Sequence, residues 1–114
     1  MRLFKRQPSI KLNVLIYKES NEWIAHCLQM DIVTTGQDEK DVEKDIINLI
    51  KAQIIFALQN NNLSNLFKPA PEEEWAKLEY ATKCSNIKIK IDIDEDNQTV
   101  RRHPPINEVE LCFA

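Results

Sequence analysis

The chain has 114 residues, of which 43% are hydrophobic and 29% are charged, and its formal net charge is −3. This length and balance predict one globular domain that buries its own core. The slight acidity argues against phosphate binding by bulk electrostatics, which requires a surplus of Lys and Arg on one face.

The cysteines and the N-terminal segment predict a cytoplasmic location. Three cysteines, Cys27, Cys84 and Cys112, leave one unpaired and form no close-spaced pair, which is typical of a reducing compartment. The basic stretch 1–8 lacks the apolar run of a signal peptide. The longest nearly apolar run, 52–58, is too short to cross a bilayer.

The first predicted strand covers residues 9–17, because apolar side chains recur there at every second position. Its apolar face carries Ile10, Leu12, Val14 and Ile16. The polar stretch 18–22 predicts a turn with its bend at Ser20 and Asn21.

Two further strands are predicted at 23–28 and 32–35, separated by a tight turn over 29–31. Neither face of the second strand is polar, which is typical of a strand covered on both sides. The third is rich in β-branched residues. Because the links are short, we expect the three strands to form an antiparallel meander.

Gly36, the chain's only glycine, directly precedes a long helical pattern. A β-carbon would hinder the turn from strand into helix at this point. Asp38 is the predicted N-cap, with Asp41 reaching back as in a capping box. The helix is expected to end near Asn60, at a run of three asparagines. Its predicted buried stripe consists of Val42, Ile46, Leu49 and Ile50.

In the second half of this helix, apolar residues occur almost all round. Ala52, Ile55 and Phe56 lie away from the core-facing side, and such a surface usually has a partner. Two explanations stay open. Either a second subunit covers these residues, which predicts a homodimer or larger assembly, or later side chains fold back over them. The candidates for folding back are Leu63, Leu66, Phe67 and Trp75.

The composition changes after residue 68, so we expect a core at 1–68 and an extension at 69–114 that packs on the same domain. Pro71 suits the first turn of a second helix, from 72 to about 83.

Two more strands follow the second helix. Residues 87–93 alternate between isoleucine and charged residues, and 108–113 alternates again with Val109, Leu111 and Phe113 on its core face. These two strands are candidates for a hairpin with a long charged loop. The predicted fold is therefore α+β: an antiparallel three-stranded meander crossed by one long helix, with a C-terminal helix and two further strands.

Residue spacing predicts no catalytic, cofactor-binding or metal site. His26 and Cys27 are adjacent, so in a strand they point to opposite faces and cannot share a metal ion without distortion. Nothing in the sequence brings Cys27 or Cys112 to His103 as a nucleophile pair. Four acidic residues are conceivable as a two-metal nuclease cluster, although exposed positions explain them better. They are Asp31, Glu43, Asp92 and Asp94.

A small basic patch is likewise conceivable, but an exposed strand face and loop explain it equally well, so no nucleic-acid surface is predicted. Its members would be Lys88, Lys90, Arg101 and Arg102.

The order Y-K-E, W-I-A-H-C-L, D-I-V-T-T-G and D-E-K-D-V-E-K-D-I, over residues 10–60, resembles the HicB-like antitoxin family. The resemblance implies a partial RNase H-like fold, a three-stranded meander crossed by a helix, without a functioning nuclease site. Eight signature positions carry it, and structural roles are expected for them. These are Tyr17, Trp23, Ala25, His26, Cys27, Leu28, Asp31 and Gly36.

The resemblance implies a non-enzymatic, cytoplasmic bacterial antitoxin that binds and masks a small basic RNase toxin of the HicA type. Many such proteins also carry a C-terminal DNA-binding module. The pattern after Lys68 contains no second DNA-reading helix and no basic strand arm, so DNA binding is not expected. Two alternatives remain: an orphan oligomeric scaffold of the same fold, and a metal-dependent nuclease.

Overall fold

The chain folds as an α+β protein, with five strands in one mixed sheet, in a computed structural model that describes residues 11–88 and 108–114. The strand order across the sheet is β3-β2-β1-β5-β4. In chain order the elements are β1 (Lys11–Glu19), β2 (Glu22–Cys27), β3 (Ile32–Gly36), α1 (Glu39–Gln59), α2 (Glu72–Ala76), β4 (Lys83–Lys88) and β5 (Glu108–Phe113). Single 3₁₀ turns, which the sequence did not predict, lie at Leu63–Asn65 and Lys77–Tyr80.

The predicted antiparallel meander of β1, β2 and β3 is confirmed. Ser20 and Asn21 form the predicted bend, with φ angles of 51° and 65°. Two successive residues with positive φ match the twist of a tight hairpin, and Asn tolerates this conformation well. Strand β1 begins within the predicted range and runs on to Glu19. Residues 9 and 10 lie outside the described part.

Strand β5 lies between β1 and β4, where it runs parallel to β1 and antiparallel to β4. The expected pairing of the last two strands is therefore confirmed, and both strands join the main sheet. The parallel pairing makes the sheet mixed, and it brings residues nearly a hundred positions apart into register, as at Leu12 and Val109.

One face of the sheet, the helix face, packs against α1 and forms the main core. From the strands it receives Leu12, Val14, Ile16, Ala25, Cys27, Val109 and Leu111. The buried stripe of α1 consists of Val42, Ile46, Ile50, Ile54, Ala57 and Leu58. The prediction was wrong for Leu49, which is 39% exposed. It precedes Ile50 by one residue, so its side chain lies beside the buried stripe and faces partly towards solvent.

Helix α1 packs so close to the end of β3 that there is little room for a side chain at position 36, where the chain has its single glycine. A Cβ atom at Gly36 would lie 3.0 Å from Cγ1 of the buried Val42. Asp38 occupies the predicted N-cap position, but its side chain makes no cap hydrogen bond, so the expected capping box with Asp41 is wrong. The helix ends at Gln59, with Asn60 as its C-cap, as predicted.

The second predicted helix, 72–83, is much shorter than expected. It ends at Ala76 and continues as the 3₁₀ turn. The physical reason is that the N–H of Thr82 already donates to the carbonyl of Phe113, so the chain is extended and paired with β5 by this point. The predicted strand 87–93 overlaps β4 only at its first two residues, and 89–93 lies outside the described residues.

Candidate functional site

The other side of the sheet, the opposite face, carries a buried histidine between two carboxylates. The Nε2 atom of His26 lies 2.7 Å from Oδ1 of Asp31, and its Nδ1 atom lies 3.5 Å from Oε1 of Glu74. Only 6% of the histidine side chain is exposed, against 44% for Asp31 and 26% for Glu74. A ring with both nitrogens facing acceptors donates at both only when it carries two protons.

A lysine and a tyrosine lie next to His26, Asp31 and Glu74, and we call these five residues the His26 cluster. Nζ of Lys77 donates to Oε1 of Glu74 at 3.0 Å, and it lies 4.8 Å from the centre of the Tyr17 ring. The hydrogen bond to Glu74, together with smaller contributions from Tyr17, raises the pKa of Lys77 above its ordinary value, while partial burial opposes the rise. Lys77 therefore stays charged and contacts the electron-rich ring face.

This cluster attaches the short helix α2 to the opposite face of the sheet. Two further hydrogen bonds support this attachment: the backbone N–H of Ala70 donates to the carbonyl of Leu28 at 2.8 Å, and the indole N–H of the Trp75 side chain donates to the carbonyl of Ala70 at 3.1 Å. The geometry around His26 thus favours a structural clamp that holds the β2–β3 turn and α2 together.

The structure gives each of the eight signature positions a place in the fold. His26 and Asp31 form the contact described above, and Gly36 admits α1. Cys27 points to the helix face and His26 to the opposite face, which confirms the predicted orientation. Ala25, Cys27 and Leu28 are fully buried, while Tyr17 and Trp23 are partly buried.

Burial controls the chemistry of Cys27. Desolvation raises the pKa of its thiol from 9.0 to about 11, against the opposing effect of backbone hydrogen bonds from Met30 and Gln29. A thiol of this kind remains protonated at neutral pH and behaves as a small hydrophobic side chain.

The conceivable acidic cluster is not assembled among the residues that the structure describes. Asp31 lies beside His26 on the opposite face, whereas Glu43 lines a groove with Ile87 and Leu111 next to the helix face. Asp92 and Asp94 lie outside the described residues, as do the basic residues beyond Lys88. His103 also lies outside them.

The outward side of α1 carries an apolar stripe, which we define as Leu49, Ala52, Ile55 and Phe56; Ile55 is half-buried and the other three are exposed. Phe56 is the most exposed of these, at 59%. Leu66 and Phe67 instead pack against the main core cluster. Within the described residues, folding back of these two side chains leaves Phe56 largely uncovered.

The cysteine pattern predicted a reducing compartment, but the structure contains a disulfide. Cys84 and Cys112 are direct cross-strand partners in β4 and β5 and form a disulfide across 28 residues. Cys27 is free and buried. No local sequence pattern predicts this pair, because the partners are far apart along the chain and only the register of β4 against β5 brings them together.

Comparison with family models, with curated proteins and with solved structures found no match to this chain. No helix within the described residues is long and apolar enough to cross a membrane.

Proposed function

We propose that this chain is a HicB-like antitoxin, a non-enzymatic cytoplasmic protein that binds and neutralises a small RNase toxin of the HicA type. One observation carries the proposal. The stretch that resembles the family coincides with one structural unit, the β1–β2–β3 meander crossed by α1. Three of its signature residues take part in contacts within that unit, His26 with Asp31 and Gly36 against Val42.

Surface charge supports a basic partner. Exposed acidic residues lie near the start of both helices, at Asp38 and Asp41 for α1 and at Glu72 and Glu73 for α2. Because α1 and α2 lie on opposite faces of the sheet, these are two separate groups of acidic residues, and together with the net charge of −3 they favour a basic partner over an acidic one. Such complementarity accelerates encounter and weakens as salt screens it.

The direct test is a pull-down of the tagged full chain from its native host, with bound proteins identified by mass spectrometry. We expect one small basic protein in stoichiometric amount, released at high salt. Expression of that protein alone should arrest growth, and co-expression of this chain should relieve the arrest. Recovery of a small protein that does not arrest growth would contradict the antitoxin role.

The exposed Phe56 favours a second candidate, an orphan oligomeric scaffold that kept the fold without a toxin. A scaffold predicts recovery of the chain alone as a stable homo-oligomer, with no small basic protein at any salt concentration. The two candidates also differ in genome context, because only the antitoxin requires a toxin-sized basic reading frame beside its own.

A further inference from the structure

Two sulfur atoms and a carboxylate lie close together on the opposite face of the sheet, where β4 pairs with β5. We call this group, Cys84, Cys112 and Glu110, the β4–β5 junction. Cys84 and Cys112 face each other with their Cα atoms 4.2 Å apart. Glu110 precedes Cys112 by two residues, so its side chain lies on the same face of β5. The potential ligand atoms of these three residues all lie within 4.8 Å of one another.

A chain of hydrogen bonds orients the carboxylate of Glu110. Nδ2 of Asn13 donates to its Oε1 atom at 2.7 Å. Asn13 is in turn held by Gln29 through two bonds, one from Nε2 of Gln29 to Oδ1 of Asn13 at 2.7 Å and one from the Asn13 backbone N–H to Oε1 of Gln29 at 2.8 Å. Outer contacts of this kind orient the ligands of metal sites and raise their affinity.

We propose that reduction of the Cys84–Cys112 disulfide converts this junction into a binding site for a thiophilic divalent cation, with Zn²⁺ as the best fit. Two thiolates and one carboxylate oxygen are ligands that Zn²⁺ prefers, at about 2.3 Å for sulfur and about 2.0–2.2 Å for oxygen. Around a tetrahedral ion these three ligand atoms lie roughly 3.5–3.8 Å apart, which follows from those bond lengths. The fourth position is left to water or to a partner's side chain.

The reaction balances with a named reductant. A phosphine attacks one sulfur, the S–S bond breaks, and water supplies the oxygen of the phosphine oxide and the two protons of the new thiols. Zn²⁺ then replaces the two thiol protons, which pass to solvent. The disulfide and the metal-loaded form exclude each other, because the two sulfur atoms can act as thiolate ligands only when the bond between them is broken. Each form ties β4, a strand at the edge of the sheet, to β5.

The exposure of Cys84 makes the β4–β5 junction accessible to both the phosphine and Zn²⁺. Cys84 is exposed and Cys112 is 2% exposed, so an incoming reductant and ion meet the Cys84 side first. Cys27 lies in the core of the helix face and is not part of the set. This third cysteine therefore provides a matched control that the chain itself contains.

The test is zinc binding by the full chain, measured by native mass spectrometry and by competition with a chromophoric chelator. The phosphine-reduced protein should bind one Zn²⁺ per chain, and the oxidised protein should bind none. Cys84→Ser should lose binding, and Glu110→Gln should weaken it by at least about 10–100-fold, the range seen when only a group that supports a metal ligand is altered. The control Cys27→Ala, which keeps this buried position apolar, should bind like the wild type.

Substitution with Co²⁺ gives a second readout, because thiolate ligation produces a charge-transfer absorption that should vanish in Cys84→Ser. Glu110→Gln keeps an oxygen that can accept the hydrogen bond from Asn13, so this variant should remain folded. Failure of the reduced wild type to compete for zinc would overturn the proposal. So would equal affinity in the wild type and Cys84→Ser. Neither result depends on whether the chain neutralises a toxin.

Discussion

Nε2 of His26 lies 2.7 Å from Oδ1 of Asp31, and this contact closes the turn between β2 and β3. Asp31 has a φ angle of 52°, a left-handed backbone that is unfavourable for most residues but is tolerated by Asp and Asn. The same imidazole faces Glu74 on its other side. One side chain thereby connects the turn of the meander to the helix α2.

We expect Asp31→Asn to lower the free energy of unfolding by about 1–2 kcal/mol, because a charge-assisted hydrogen bond to a buried ring becomes a neutral one. Asparagine keeps the shape of the aspartate side chain and accepts the left-handed backbone, so the substitution removes only the negative charge. Urea unfolding at pH 7 measures the difference. The control Asp38→Asn, at an exposed position without a side-chain cap bond, should change stability by less than about 0.5 kcal/mol. Equal effects of the two substitutions would contradict the clamp.

Gly36→Ala should destabilise the protein by about 1–3 kcal/mol, the range for overpacking a core. The new Cβ would meet Cγ1 of Val42 at 3.0 Å, and a β-branched side chain in a helix has essentially one rotamer to occupy. The entropic advantage of Gly→Ala in the unfolded chain, at most about 1 kcal/mol, opposes this loss.

A double-mutant cycle tests the cause of that effect. In a Val42→Ala background, Gly36→Ala should cost at least about 1 kcal/mol less than in the wild type, because the clashing methyl group is gone. Gln37→Ala, one residue further along and exposed, serves as the control. A Gly36→Ala variant as stable as the wild type would show that α1 can move away from β3.

If Phe56 lies in a homo-oligomer interface, as we propose, Phe56→Glu should give a monomer without unfolding the subunit, because the residue is 59% exposed and lies outside the core stripe. Multi-angle light scattering at micromolar concentration gives the assembly state, and circular dichroism reports the fold. Tyr80→Glu is the matched control: this aromatic residue is 75% exposed but lies on the 3₁₀ turn after α2. A wild type that is already monomeric would rule out the interface.

Cys27 should make stability depend on pH in the alkaline range. Burial raises the pKa of this thiol from 9.0 to about 11, so the folded state binds the proton more tightly than the unfolded state. The stabilisation is complete below about pH 9 and is lost as the pH rises from 9 through 11. The difference in unfolding free energy between the wild type and Cys27→Ala should therefore shrink over that interval. A constant difference would mean that the thiol is not desolvated.

Much of the meander could be predicted from sequence because its signals are local. Alternation located Leu12, Val14 and Ile16 on one face, and the Ser20–Asn21 bend required only residues that tolerate positive φ. One error is local in origin and the other is long-range. Leu49 is only one helical position from the buried stripe, and the pattern after Pro71 is periodic enough for a helix that pairing of the chain with β5 cuts short.

The chain's own pattern of side chains determined the type and approximate position of the first three strands and of α1, since a period of two or 3.6 depends on residues close in sequence. Tertiary structure alone decided that β5 lies parallel to β1, that Cys84 meets Cys112, and that His26 lies between Asp31 and Glu74. Strand order and cross-strand partners follow from how separate apolar faces pack together. That packing depends on the whole chain, and no local pattern encodes it.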